Sequence, residues 1–246
     1  MDEPDISEDF SPLNPKIVLG IAAHPDDLDY AAAGTMAKFA GTGAEIHYLI
    51  ITDGSKGSDD LHISEADLIK MREDEQRAAV QILGGKGVTF LGYPDGELEV
   101  TMKLKKDIVR VIRTIKPDVV ITLDPTLVYS VERGFINHPD HRAAGQAALD
   151  AIFPLARDHL TFPDLYAEGF EPHKTAIVLL SNFGAGNYFV DITDTFETKM
   201  AALKAHESQI PDVDGTRVWM ETVARKNGEL CDYELAESFM RINVRG

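Results

Sequence analysis

The strongest constraint on this chain is an alternation that runs through most of its length. Short apolar runs rich in Val and Ile, at 16–23, 45–52, 87–91, 118–123 and 175–181, are separated by segments with helical periodicity. Near-continuous apolar runs of this length suit strands covered on both faces. Strands that alternate with helices stack as a parallel sheet between two helical layers. The expected fold class is therefore α/β, a Rossmann-like three-layer fold with a mostly parallel sheet. The helices have readable ends. Ser64 with Asp67 forms a capping box that opens 65–83, where Leu68, Met71, Ala78, Ala79 and Ile82 recur near period 3.6 and Gly84-Gly85 stops the helix. Thr101 caps a helix carrying Leu104, Ile108, Val111, Ile112 and Ile115, which ends before Pro117.

Residues 1–15 are acidic, contain three prolines and have few apolar anchors, so they read as a mobile acidic leader. The remainder, 16–246, shows no repeat and no low-complexity linker and is read as one domain of a size common for α/β folds. Acidic residues outnumber basic ones 41 to 24, for a formal charge of −17. Such a surface repels phosphate backbones and anionic lipid, which argues against nucleic-acid and membrane partners but leaves a small substrate open. No apolar run approaches the ~18 residues that span a bilayer, and the acidic N-terminus is unlike a secretory signal. Cys231 is the only cysteine, so neither an intrachain disulfide nor a cysteine-rich zinc site can form. The expected compartment is cytoplasmic.

In sheets of this type the working groups collect in loops at the carboxyl ends of the strands. After the first run the sequence reads Ala23-His24-Pro25-Asp26-Asp27-Leu28-Asp29, and a second cluster, His138-Pro139-Asp140-His141, opens the helical pattern at 142–153. Either carboxylate of the first cluster could simply cap a helix, and an isolated His pair is often only surface polarity. Two His-Pro-Asp clusters, each after a strand, project over the same sheet edge. Together they supply a His/Asp/His set for one divalent metal with a position left for water, a donor set suited to catalytic zinc. A leftover carboxylate can take a proton from water, and a spare His can donate, which makes the set hydrolytic. Spacing does not choose between Asp26 and Asp27, or between His138 and His141, as the ligand.

These two strings resemble the signature motifs of the zinc-dependent N-acetylglucosaminyl deacetylases of the PIG-L/LmbE type. Further matches follow in order: Thr52-Asp53-Gly54-Ser55-Lys56-Gly57, Arg72 to Glu75, Leu91-Gly92-Tyr93-Pro94-Asp95-Gly96, and Lys204-Ala205-His206-Glu207-Ser208-Gln209. The resemblance spans roughly residues 16–209. It implies a Zn²⁺ ion, one per chain and replaceable by other divalent transition metals, held by His24, Asp27 and His141. It further implies Asp26 as general base, His138 as the group that steadies the oxyanion and assists amine departure, and Asp140 as the residue that orients His138. Arg72 and Asp95 match positions that face the sugar. The implied partner is a small N-acetyl sugar or glycoconjugate. Two positions depart from the family pattern: Leu28 stands where Glu is frequent, with Asp29 next to it, and Ile136 stands where a subset carries Tyr.

Other residues are read as structural. His47 lies in a strand run, and His62, His159 and His173 are expected at the surface. His206 reads as a structural helix residue. Trp219 and Tyr233, in an amphipathic C-terminal region, read as packing or a subunit contact, which leaves a homo-oligomer open. The glycines at 54–57 do not complete a G-x-G-x-x-G, so a dinucleotide site is a weak reading. The expected reaction is hydrolysis of the acetamide of an N-acetylglucosamine-type substrate to amine and acetate. Two alternatives are a metal-dependent amidase or esterase on a non-sugar acyl compound, and a non-catalytic sugar- or nucleotide-binding module.

Overall fold

A computed structural model describes residues 12–131, 134–181 and 186–245. Strands β1 (Ile17–Ala22), β2 (Glu45–Thr52), β3 (Gly87–Tyr93) and β4 (Val119–Leu123) alternate with helices α1 (Asp27–Gly41), α2 (Glu65–Ile82) and α3 (Met102–Ile115). A hairpin of β5 (Tyr129–Ser130) and β6 (Phe135–Ile136) follows, then α4 (Pro139–Asp150), α5 (Pro163–Ala167) and β7 (Ile177–Ser181). The C-terminal part holds β8 (Tyr188–Asp191), α6 (Phe196–Lys204), α7 (Val213–Gly228) and β9 (Ala236–Asn243). Among the described residues, seven strands form one sheet in the order β3-β2-β1-β4-β7-β9-β8. The run from β3 to β7 is parallel, and β9 lies antiparallel to both β7 and β8. This is an α/β, Rossmann-like fold with a mostly parallel sheet.

Strand side chains alternate between two cores because successive residues point to opposite faces. Val18, Ile46, Ile50 and Ile121 pack under α1, α2 and α6, whereas Leu19, Ile21, Leu49, Ile51 and Val120 pack under α3 and α4. Leu28, where the family pattern has Glu, is fully buried; a Cβ at Gly20 would come within 2.7 Å of it, so α1 lies flush on β1.

Three sequence expectations change. The buried face of α2 is Leu68, Arg72, Gln76, Ala79 and Val80, while Met71 and Ile82 are each 42% exposed. The two polar residues displace the apolar stripe because this face meets loops with donors and acceptors to satisfy. Helix α4 starts three residues before the predicted pattern, with Pro139 in the first turn, where its missing N–H costs nothing. Strands β8 and β9 went unread because Glu237 and Arg241 interrupt the apolar pattern of β9 although both are buried. Of the expected leader, residues 1–11 lie outside the described residues; the Leu13 N–H donates to the Tyr188 hydroxyl at 3.1 Å. No helix among the described residues is long and apolar enough to cross a membrane.

Helix α4 is pressed against the end of β4 at Gly145, where a Cβ would meet the Leu123 carbonyl oxygen at 2.2 Å. Alanine normally favours a helix by ~1 kcal/mol over glycine, but a backbone carbonyl cannot move aside. Gly145→Ala should therefore destabilise the fold by about 1–3 kcal/mol. A urea titration checks this; a midpoint equal to or above that of the parent would contradict the packing account.

Candidate active site and metal centre

Strand order reverses at β1, which has β2 on one side and β4 on the other, so the loops leaving these two strands diverge and open a crevice. The first loop carries His24, Asp26 and Asp27; the segment after β4 delivers His138, Asp140 and His141 at the start of α4. The two sequence clusters meet here. The ring centroids of His24, His138 and His141 lie 4.8–5.4 Å apart, and one nitrogen from each falls within 4.8 Å of the others.

Asp27 bridges two of these rings. Its Oδ2 lies 3.6 Å from His24 Nδ1 and its Oδ1 lies 3.0 Å from His141 Nε2. The far sides of the rings fix which nitrogens carry protons. Asn137 Nδ2 donates to the Leu127 carbonyl at 2.8 Å, so Asn137 Oδ1 is an acceptor and His141 Nδ1–H donates to it at 3.1 Å. His24 Nε2 lies 3.0 Å from Asp95 Oδ1 and 3.3 Å from Asp140 Oδ2, two acceptors that call for a proton on that nitrogen. In the neutral rings the lone pairs of His24 Nδ1 and His141 Nε2 then face Asp27, an arrangement that repels unless a cation lies among them. Donors bonded at ~2.1 Å in a tetrahedron are spaced by roughly 3.4 Å, and the two Asp27 contacts bracket that value. A carboxylate behind a ligating histidine is the usual support of a metal site. Among the described residues, two sets could hold an ion, His24 with His138 and His141 and His24 with Asp95 and Asp140, and Asp27 lies against two of these histidines.

Charge supports the same fit. Burial alone would lower the His24 pKa, but hydrogen bonds to Asp140, Asp27 and Asp95 outweigh it and hold the ring well above its ordinary value. Three carboxylates thus favour the charged form of this one imidazole. Asp26 is pushed upward, first by burial and then by the charge of Asp27, against the opposing pull of Arg72. A buried carboxylate with raised proton affinity has the chemistry of a general base.

The structure places three further expected site residues as follows. Asp140 does not orient His138 through its carboxylate: the Asp140 carboxylate is fully buried, accepts from Gly96 N–H at 2.7 Å and Leu98 N–H at 3.1 Å, and faces His24. It is instead the Asp140 backbone N–H that donates to His138 Nδ1, at 3.2 Å, as the cap of α4. Neutral His138 consequently carries its proton on Nε2. Arg72 and Asp95, expected to face a sugar, point inward and are 4% and 5% exposed. Arg72 donates to the Gly54 and Pro25 carbonyls, both at 2.9 Å, and lies 3.6 Å from Asp26; Asp95 Oδ2 accepts from Lys56 N–H at 3.0 Å. Both residues knit loops together. Asn137 and Gln76 were missed. For Gln76 a signal existed: it follows Arg72 by four residues and so shares its helix face.

Of the other histidines, His47 lies in β2, His62 and His159 are exposed, and His173 is half-buried against the Pro117 carbonyl. His206 is fully buried with its Nε2 2.9 Å from Asp29. Burial would lower the His206 pKa, yet the hydrogen bond and charge of Asp29, with Asp26 and Glu75 nearby, raise it above 6.5. A raised folded-state pKa gives stability that is fully present below the unfolded value and is lost as pH rises through the folded one. The stability difference between the parent and His206→Gln should therefore be largest below pH 6.5 and shrink on the alkaline side. Paired denaturant titrations across pH measure it, and a pH-independent difference would refute the charged pair.

Known proteins share these features. The PIG-L family model, described as GlcNAc-PI de-N-acetylase, matches residues 19–152. The chain is 36% identical over 235 residues to the diacetylchitobiose deacetylase of Thermococcus kodakarensis, covering 94% of this chain and 84% of that protein. It is 30% identical over 199 residues to a probable N-acetyl-alpha-D-glucosaminyl L-malate deacetylase 2 of Bacillus anthracis, covering 80% of this chain and 82% of that protein. The solved N,N'-diacetylchitobiose deacetylase of Pyrococcus horikoshii superposes with a TM-score of 0.86 at 31% identity, covering 94% of this chain and 85% of that one. With more than half of its length matched by the family model and the signature residues gathered in one crevice, the chain belongs to the PIG-L family.

Proposed function

We propose that this chain is a metal-dependent N-deacetylase that hydrolyses the acetamide of an N-acetylglucosamine-containing saccharide or glycoconjugate. The observation that carries the reading is the bridge from Asp27 to His24 Nδ1 and His141 Nε2, with both rings oriented from behind so that those are the nitrogens left unprotonated whenever the rings are neutral. Relatives named as deacetylases of diacetylchitobiose and of an N-acetylglucosaminyl malate support the substrate class. His24, Asp27 and His141 would hold the ion, with zinc the first choice for two nitrogens and one oxygen and iron or cobalt able to replace it. When bound, that ion supplies a Lewis acid for the acetyl oxygen and lowers the pKa of an attacking water.

The chain's own residues do the rest. Asp26, drawn upward in proton affinity by burial and by Asp27, takes the proton as water attacks the carbonyl carbon. His138 is exposed at the mouth, and its pKa is lowered by burial and by the charge of His24. Its neutral ring therefore offers Nε2–H to the oxyanion, because Nδ1 is occupied by the Asp140 N–H. As the C–N bond breaks, the leaving nitrogen receives the proton held by Asp26, which yields the free amine and acetate. The charge of Arg72 opposes the rise at Asp26 and favours the ionised carboxylate that must accept.

Loading the purified chain with zinc and following acetate release from a panel of N-acetylglucosamine compounds tests the reading. About one ion per chain and steady acetate release are expected. Asp27→Ala should lose the ion. Asp26→Asn should retain it and lose ~10²–10⁴ in turnover, the usual cost of removing a general base. Retention of metal and near-normal turnover by both variants would overturn the assignment.

A further inference from the structure

The base is held in a disfavoured backbone conformation. Asp26 has φ +88°, outside the range that L-residues adopt readily. Conformations of this kind carry strain and persist only when the surroundings over-determine them. Four hydrogen bonds fix the turn. Arg72 takes the Pro25 carbonyl, the Asp26 carbonyl accepts from the N–H groups of Asp29 and Tyr30 at 2.8 and 3.0 Å, and the Asp26 N–H donates to Gln76 Oε1 at 2.9 Å. The last of these ties the peptide immediately before the base to a neighbouring helix.

Gln76 is fully buried and has no freedom to turn over. Its Nε2 donates to Asp29 Oδ2 at 2.7 Å, and an amide flip would set a carbonyl against that carboxylate and an NH₂ against the Asp26 N–H. Asp29 is itself anchored, accepting from Tyr48 OH at 3.3 Å and facing His206 Nε2 at 2.9 Å. A chain of contacts therefore runs from His206, at the end of α6, through Asp29 of α1 and Gln76 of α2 to the backbone of Asp26. Gln76, Asp29 and His206 are all fully buried, so none of them can touch a substrate in the crevice.

We propose that Gln76 is a positioning residue for Asp26, locked in its one productive orientation by the Asp29–His206 pair. This inference rests on the reading of Asp26 as the base. The glutamine amide is the side chain that satisfies both ends at once. A Glu carboxylate could still accept from the Asp26 N–H but would repel Asp29, and an apolar residue would leave both partners without a hydrogen bond. The departure of Leu28-Asp29 from the family pattern gains a physical role here: Leu28 fills the core against β1, and Asp29 supplies the charge that orients Gln76.

The test compares Gln76→Met, which keeps the volume, with Gln76→Glu, which keeps the shape, in the zinc-loaded chain. Exposed Gln81→Ala on the same helix serves as a control that retains parental activity. Both Gln76 variants should bind one ion with an affinity within about twofold of the parent and show a KM within about twofold. Their kcat should fall about 10- to 100-fold, the range typical of lost support behind a working group. A crystal structure of Gln76→Met should show the Asp26 carboxylate displaced from its place beside Arg72 while Asp27 stays against both histidines. The inference is overturned if kcat stays within about twofold of the parent, if metal affinity falls and KM rises in step with the loss of kcat, or if the Asp26 carboxylate keeps its place beside Arg72. Failure of the functional reading would look different: the parent itself would release no acetate, while the place of the Asp26 carboxylate in Gln76→Met would still decide the positioning.

Discussion

A single turn, held against its own preference, organises the active crevice. Between β1 and α1 the chain passes through His24-Pro25-Asp26-Asp27 with Asp26 at positive φ. This bend faces Asp27 toward both imidazoles and sets Asp26 beside them. Its cost is met by hydrogen bonds from α2, where Arg72 and Gln76 replace the apolar residues that a helix packed on a sheet would ordinarily present. The polar face of α2 is therefore a structural condition of the site.

A second constraint is electrostatic. Asp26, Asp27, Asp95 and Asp140 converge on one buried region, and desolvating several carboxylates together is expensive unless positive charge accompanies them. The protein meets this in layers. Backbone N–H groups of Lys56, Gly96 and Leu98 serve the outer carboxylates, Arg72 lies against Asp26, and His24 is forced toward its charged form in the absence of an ion. The same arrangement prepares the two ligating nitrogens, since the carboxylates and Asn137 behind the rings decide which atoms face Asp27. The orientation of the two rings is thus set by the residues behind them.

The fold places these groups at little extra cost. Parallel strands need long crossovers, the crossovers are helices, and the helices begin at the carboxyl edge of the sheet. Helix α4 brings its cap residue His138 and its first-turn residue His141 to that edge directly, and its close approach to β4 at Gly145 sets how far they reach. His138 is exposed where His24 is buried, a difference that suits one to meet an incoming acyl group and the other to hold an ion.

The sequence by itself determined the α/β alternation, the capping of α2 and α3, and the pairing of two His-Pro-Asp clusters, because periodicity, caps and residue chemistry are local properties. The resemblance to a family added the division of labour between Asp26 and Asp27 and between His138 and His141. The tertiary structure decided what local spacing cannot carry. Asp140 and His138 are only two residues apart, yet the Asp140 carboxylate turns toward His24, delivered by a different strand. Arg72 and Asp95, expected to face a sugar, are closed over by the loops they bind. Gln76, Asp29 and His206 come from three separate helices or helix ends and meet only once the sheet has brought those helices together. Strand β9 escaped detection for a related reason: its charged residues are paid for by partners distant in the chain, and burial of such groups depends on contacts that no short window of sequence contains.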